Sequence, residues 1–419
     1  MKLRSLIFWI HLASGVTAGA IILVMSLTGA AIAFEKELLA WAERDNRFVT
    51  PPTGEAPRLS MESLVARVRQ ERPAAKPSGI TVFADPRSAV QMSLGRTNSL
   101  YVNPYTGEIR EQGTGGLRAF LRTMTDWHRW LGQNGGGRAV GKAITGACNV
   151  AFLFLALSGL YLWWPRKWSW PALKTVAVFN MRLRGKARDW NWHNVIGVWT
   201  APVLIVLTAS GTIISYRWAS DLVYRLAGEP PPVAGPAGSP AVPLSTPEPG
   251  AKPLGPDALL SQAKGAAPRW EQMTIRFEGN SPRNGSPTSP QNSGEPGPRG
   301  SRRGNDGDKP QAFTVSVREH GMWPLFGANQ YSLDPFTGSV LRKETFADYT
   351  PGRKFRSWLR FLHTGEALGL PGKTIAAIAS LGGAALVFTG LSLAIRRFLA
   401  WRQKADSAGV PLQPAPELK

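Results

Sequence analysis

The sequence predicts an α-helical membrane protein with four transmembrane helices, built as two parallel repeats. Each repeat reads span, outer α+β module, span. Three observations predict this. Four stretches lack Asp, Glu, Lys and Arg: Ser5–Phe34, Ala143–Trp164, Trp190–Tyr216 and Thr374–Ile395. Each reaches the roughly 20 residues that a helix needs to cross a bilayer. Basic residues crowd one set of flanks: Lys2 and Arg4 before the first span, Arg166 to Arg188 between the second and third, Arg396 to Lys404 after the fourth. The third observation is an internal echo. His11 and His193 are each followed four residues later by Gly-Val, at Gly15 and Gly197, and 18 residues later by Gly29 and Gly211.

Taken in order, residues 1–34 form the first span. Ala31-Ile32-Ala33 looks like a signal-cleavage site, but 30 uncharged residues are long for a signal, and the echo at 193–211 argues for a retained helix. Residues 35–116 form the first outer module. Helical spacing at Leu64, Val65 and Val68 precedes strand-like runs at 80–83, 90–94 and 99–102. Residues 117–138 hold an amphipathic interfacial helix with Phe120, Met124, Trp127 and His128 on its apolar face, closed by Gly135-Gly136-Gly137. The second span covers 139–167, followed by a basic cytoplasmic loop at 168–189. The third span covers 190–216. The second outer module, 217–350, repeats the turn Asn103-Pro104-Tyr105-Thr106-Gly107 as Asp334-Pro335-Phe336-Thr337-Gly338. It carries a Pro/Gly/Ser/Asn-rich linker at about 279–310. A second interfacial helix at 351–372 sets Phe355, Leu359, Leu362 and His363 at the earlier spacing. The fourth span is 373–397, and 398–419 is a cytoplasmic tail.

The net charge of +21 could suggest nucleic acid, but its placement fits a membrane protein with both termini and the 168–189 loop in the cytoplasm. No nucleic-acid partner is expected; the lipid bilayer is. The single cysteine, Cys148, excludes an internal disulfide and a CxxC site. No phosphate loop or dinucleotide fingerprint is present, so an electron donor would come from outside the chain.

Four of the five histidines occupy matched positions: His11 with His193, and His128 with His363. A ligand-capable residue on an apolar helix is costly and is a functional hypothesis by default. The first pair lies towards the cytoplasmic ends of outward-running helices, the second on the outer side. Two imidazoles across a bundle axis are the ligand set for a six-coordinate haem iron. Zinc is the alternative metal. Gly15, Gly197, Gly29 and Gly211 fall on the same faces as the inner histidines, where they would admit a macrocycle or serve helix packing. His320 stands outside the repeat and reads as a surface residue.

The motifs HLASGV (11–16), SLTGA (26–30), WHRWLG (127–132), LSGLYLWWPRK (157–167), WHNVIGVW (192–199), TASGT (208–212) and LHTGEALGLPGK (362–373) resemble the PepSY-associated transmembrane family of bacterial inner-membrane proteins. The resemblance implies two PepSY-like periplasmic modules and, in some members, two b-type haems that reduce a periplasmic ferric siderophore to release Fe(II). On that reading the chain is an oxidoreductase fed by an unidentified donor. Alternatives are a haem-bearing subunit of another oxidoreductase, or a non-enzymatic membrane protein that binds peptide or regulates a protease.

Overall fold

The computed structural model describes residues 3–408 apart from 54–56, 76, 95–97, 111–112, 166–168, 233–250 and 277–311. The expected linker at 279–310, Arg166 and Lys167 lie outside the described residues. The chain divides into a helical unit, Met1–Phe34, Leu121–Ala219 and Leu359–Lys419, and a sheet unit, Glu35–Phe120 and Ser220–Trp358.

In the helical unit, four helices are long and apolar enough to cross a membrane: α1 (Leu3–Ile32), α6 (Gly137–Trp163), α8 (Gly185–Ser215) and α12 (Gly369–Ala408). All four expected spans are present. Helix α1 packs against α6 and α12, and α8 packs against the same two. The four make a closed ring with α1 and α8 at opposite corners. Small polar residues are buried in this ring, among them Ser26, Thr28, Asn149, Ser158, Thr208, Ser210 and Thr389. Most of their hydroxyls bond back to the carbonyl one turn earlier, for instance Thr28 to Val24 at 2.6 Å and Thr208 to Leu204 at 2.7 Å. That is how a hydroxyl satisfies itself in an apolar medium.

Two departures from expectation shape this unit. The 168–189 segment is not only a loop. It contains α7 (Trp170–Ala177), fastened by Trp163 and Trp199 indoles to the Val176 and Ala177 carbonyls. Asn191, 1% exposed, donates to Thr175 and Val178 carbonyls and accepts from the Asn180 amide. The first amphipathic helix, α5 (Gly115–Trp130), ends before the glycine triplet, with Leu131 and Gly132 both at positive φ. The Gly132 amide reaches back to the Asp126 carbonyl, closing a Schellman-type end. The glycines then serve the turn into α6. Its counterpart is α11 (Pro351–His363). The unit boundary falls inside α5 and α11.

The sheet unit was expected as two modules. It contains one antiparallel eight-stranded sheet in the order β4-β3-β2-β1-β5-β6-β7-β8. The strands are β1 (Gly79–Phe83), β2 (Val90–Leu94), β3 (Asn98–Val102), β4 (Ile109–Arg110), β5 (Trp270–Arg276), β6 (Phe313–Glu319), β7 (Asn329–Leu333) and β8 (Val340–Glu344). The two sets join through β1 and β5, where Thr81 stands opposite Thr274 and their hydroxyls lie 3.0 Å apart. Helices α4 (Met61–Glu71) and α10 (Pro256–Ala266) contribute Leu64, Val68, Leu259 and Ala263 to one core with Ile80, Met92, Met273, Ile275, Val315 and Val317. Short helices that the sequence did not announce follow two of the spans: α2 (Glu35–Ala42), α3 (Arg44–Arg47) and α9 (Arg217–Leu226).

Glu43, 1% exposed, is the polar hub of the first part of this unit. Its carboxylate accepts from Thr114 at 2.7 Å, Arg118 at 2.7 Å and Tyr101 at 2.9 Å. Burial opposes its ionisation, but the three donors outweigh burial and hold the carboxyl below its ordinary 4.5. A carboxyl that is more acidic folded than unfolded contributes stability above the unfolded value, and that contribution is lost as pH falls through the folded one. Acid unfolding of the sheet unit should therefore steepen below about pH 4.5 in the native protein. Glu43→Gln should be less stable at neutral pH and flatter through that limb, as read by circular dichroism against pH.

Candidate functional site

The four matched histidines occupy two levels of the helical unit. At the first level, His11 on α1 donates from Nδ1 to the Ser158 hydroxyl of α6 at 2.8 Å. His193 on α8 donates from Nδ1 to the Thr389 hydroxyl of α12 at 2.9 Å. The direction is fixed because each hydroxyl proton is already committed, Ser158 to the Phe154 carbonyl at 2.6 Å and Thr389 to the Ala385 carbonyl at 2.8 Å. At the second level, His128 on α5 donates from Nδ1 to the Met25 carbonyl of α1 at 2.9 Å, with the Thr28 hydroxyl at 3.3 Å. His363 on α11 donates to the Leu207 carbonyl of α8 at 2.9 Å, with the Ser210 hydroxyl at 3.2 Å.

All four imidazoles thus carry their proton on Nδ1. A neutral ring then has an unprotonated Nε2 with its lone pair available. Nε2 has no hydrogen-bond partner among the described residues. For His128, burial pushes the pKa down to about 4, and the neighbouring His363 adds to the shift. Burial likewise lowers that of His363. Both rings are neutral at ordinary pH, the form that ligates.

The rings of His128 and His363 come together, with centroids 6.4 Å apart and planes inclined by 53°. Two imidazoles bonded to opposite sides of one metal ion through bonds of about 2 Å have centroids about 6 Å apart. His11 and His193 stand on helices at opposite corners of the ring, each seated against the neighbour that follows its own helix in sequence. The two levels are 17 residues apart along α1, from His11 to Thr28, and along α8, from His193 to Ser210. That is about 25 Å of helix.

Each imidazole lies over a glycine. A Cβ at Gly29 would sit 3.1 Å from the His128 ring, and one at Gly211 would sit 3.2 Å from that of His363. At Gly159 and Gly390 the distances to the His11 and His193 rings are 3.4 and 3.3 Å. In every span a histidine is seated at a hydroxyl residue followed by glycine: Thr28-Gly29, Ser158-Gly159, Ser210-Gly211 and Thr389-Gly390. Two of the expected glycines, Gly29 and Gly211, belong to these seats. Gly15 and Gly197 touch no histidine; their nearest neighbours are Leu155 and Leu386 side chains, at 3.8 and 3.7 Å. Sequence reading missed Ser158, Gly159, Thr389 and Gly390 as site residues. Their signal was the matched Ser-Gly-Leu and Thr-Gly-Leu at the ends of two spans. His320 is exposed in the sheet unit, its amide bonded to the Arg269 carbonyl.

Asp189 lies one turn before His193 and is 2% exposed. It accepts from Ser392 at 2.7 Å and Arg188 at 2.9 Å, with Arg396 at 3.6 Å. This network ties α8 to α12 at the first level. No group of three or more His, Cys, Asp or Glu stands close enough to hold a metal ion among the described residues. The donor sets are pairs of imidazoles, which suits a metal that brings its remaining ligands with it, as haem iron does. The glycine seats and the fixed Nδ1–H tautomer fit the same group.

Four membrane-length helices define a multi-pass membrane protein, with histidines at two levels of the helical unit, one pair on α1 and α8 and the other on α5 and α11. The family model described as the PepSY-associated TM region matches residues 8–397, and the chain belongs to that family. No curated protein matched the chain.

Proposed function

We propose that this protein is a dihaem oxidoreductase of the bacterial inner membrane that passes electrons from the cytoplasmic side to a periplasmic ferric siderophore, releasing iron as Fe(II). The observation that carries the reading is the outer pair: two neutral imidazoles, each anchored through Nδ1, with centroids 6.4 Å apart. His128 and His363 would hold one b-type haem, and His11 and His193 the other. Haem supplies one-electron redox chemistry when bound. The chain's own residues fix the ligand tautomer, admit the rings over glycine, and exclude bulk water from the helical unit. The single cysteine cannot form the CxxCH attachment of c-type haem, so the groups would be b-type.

Direction follows from the charge pattern. The basic flanks support termini and an α7 segment on the cytoplasmic side, which would put the first level inside and the second outside. The sheet unit would then be periplasmic, as two PepSY-like modules of a duplicated chain joined edge to edge. Gly15 and Gly197, open to no more than a leucine methyl, would face the inner macrocycle.

A visible spectrum of protein produced with ample haem tests the reading. Bis-histidine haem gives a sharp Soret band and resolved α and β bands on dithionite reduction; a colourless protein sinks it. Stopped-flow reoxidation by a ferric siderophore then separates a reductase from a subunit that serves another oxidoreductase. Reoxidation no faster than with buffer alone would remove the siderophore from the reading and keep the haems.

A further inference from the structure

One loop of the sheet unit has no counterpart in the other half of the chain. Strands β2 and β3 are joined by three residues, Gly95-Arg96-Thr97, and the equivalent strands β6 and β7 by nine, His320 to Ala328. The longer loop carries the apolar run Met322-Trp323-Pro324-Leu325-Phe326. Its own hydrogen bonds fix it. At the base, Arg269 donates to the His320 carbonyl at 3.2 Å, and the Asn329 side chain donates to Glu319 at 2.8 Å. At the tip, the Gly327 amide closes onto the Pro324 carbonyl at 2.7 Å. Phe326 turns inward, edge-on to Phe346 and to Trp358 of α11, with ring centres 5.6 and 5.1 Å apart. Trp323 and Leu325 turn outward. Trp323 has its ring centre 5.8 Å from that of Trp358 and is still 65% exposed.

Two helices tied to this loop also present apolar residues outward. On α11, Phe355 is exposed one turn before Trp358. Helix α9 is tied to α11 where Arg356 donates to the Ser220 hydroxyl at 2.7 Å. Ala219 and Val223 of α9 are buried, while Trp218, Leu222 and Leu226 form an exposed stripe at i, i+4 and i+8, with Leu226 79% exposed. Large outward apolar groups gathered on neighbouring elements mark an interaction surface. Chain continuity selects lipid as its occupant. Helix α9 begins at Arg217, two residues after the membrane-length α8 ends at Ser215, and α11 ends at His363, six residues before α12 begins at Gly369. Tryptophan favours the membrane–water boundary, and an amphipathic helix lies in that plane with its apolar stripe in the acyl region. Arg225 is exposed at the edge of the α9 stripe, where a long cation reaches lipid phosphates. We propose that the α9 stripe and the β6–β7 loop rest on the bilayer surface, on the side where α8 ends and α12 begins, with Leu222, Leu226, Trp323 and Leu325 in contact with lipid. The loop is then a membrane anchor of the second half of the sheet unit, for which the three-residue loop of the first half has no equivalent.

The test uses the full chain in nanodiscs of phosphatidylethanolamine and phosphatidylglycerol. The single native cysteine is removed as Cys148→Ser or Cys148→Ala, and a nitroxide is attached in turn at Leu222→Cys, Leu226→Cys and Leu325→Cys. Power saturation then compares collisions with oxygen, which enters lipid, and with a nickel chelate, which stays in water. All three labels should favour oxygen over the chelate, as a label at the exposed Leu381→Cys in α12 does, and unlike one at the exposed Glu71→Cys at the end of α4. A label at any of the three positions that meets the chelate as readily as the Glu71 label overturns the proposal. So does a label shielded from both reagents, because protein and not lipid then covers the patch. The three leucines are exposed, so their replacement reports placement and leaves the core packing intact. The outcome is read whether or not the chain holds haem.

Discussion

Replacing His363 with alanine should halve the haem content and leave the remaining haem six-coordinate. Its ring is one half of the second-level pair, 6.4 Å from that of His128 between centroids. If the two rings hold one haem as proposed, removing one leaves the other imidazole without its partner, and no third His, Cys, Asp or Glu stands with them among the described residues. His193→Ala should remove the other haem and spare the outer one. Haem per chain is read by the pyridine haemochrome assay, and low-spin ferric signals by electron paramagnetic resonance. The pair of variants also tests the assignment of ligands by level. If either substitution strips both haems while the protein stays folded, or if either leaves both in place, the pairing of His11 with His193 and His128 with His363 is wrong.

The second large effect is expected at Gly141. A Cβ there would fall on the Trp130 carbonyl oxygen, closer than any real contact. Helix α6 approaches the end of α5 through this one missing side chain, and the Thr145 hydroxyl adds a bond to the Arg129 carbonyl at 3.0 Å. Backbone meets backbone here, so no flexible side chain can yield. Gly141→Val should push the end of α5 away from α6 and carry His128, two residues before Trp130, off its seat. The expected result is loss of the outer haem with the inner one kept. Gly372→Val should do the same from the other side, since its Cβ would meet the Gly365 carbonyl just after His363. Gly136→Ala is the comparison: a Cβ there meets nothing within 4 Å, and both haems should remain. Equal haem content in Gly141→Val and Gly136→Ala would refute the account.

The four long apolar helices and the matched histidines were legible in the sequence because uncharged runs and rare residue types are local signals. An uncharged run declares its own length, and a histidine in such a run is conspicuous by cost. The offset of 182 residues that relates His11 to His193 also relates Thr28 to Ser210 and Gly29 to Gly211, and it could be read by eye. What was not legible concerns partners across helices. Gly159 and Ser158 serve a histidine on α1, and nothing in the periodicity of α6 names α1 as its neighbour. The joining of β1 to β5 is similar: each strand's alternation shows which face is buried, but not which strand lies beside it. The end of α5 was misplaced towards the glycine triplet because Leu131 takes the left-handed conformation that glycine usually occupies. Helices α2 and α9 escaped notice because short segments after a span have little room to display a period.

The central strand pair has one more consequence. Thr81 faces Thr274, while Ile80 faces Ile275 and Val82 faces Met273. Matching β1 to β5 by their central threonines makes Ile80 equivalent to Met273 and Val82 equivalent to Ile275. Each equivalent residue therefore meets the other's partner, which is the reciprocal contact of a two-fold axis passing between the two threonines. An antiparallel pairing of this kind is open to two separate copies of one module as readily as to two modules on one chain. The same edge would let a half-length protein assemble as a homodimer, with each subunit bringing one histidine to each haem. In the full-length chain, tethering makes that encounter intramolecular, so assembly no longer depends on subunit concentration.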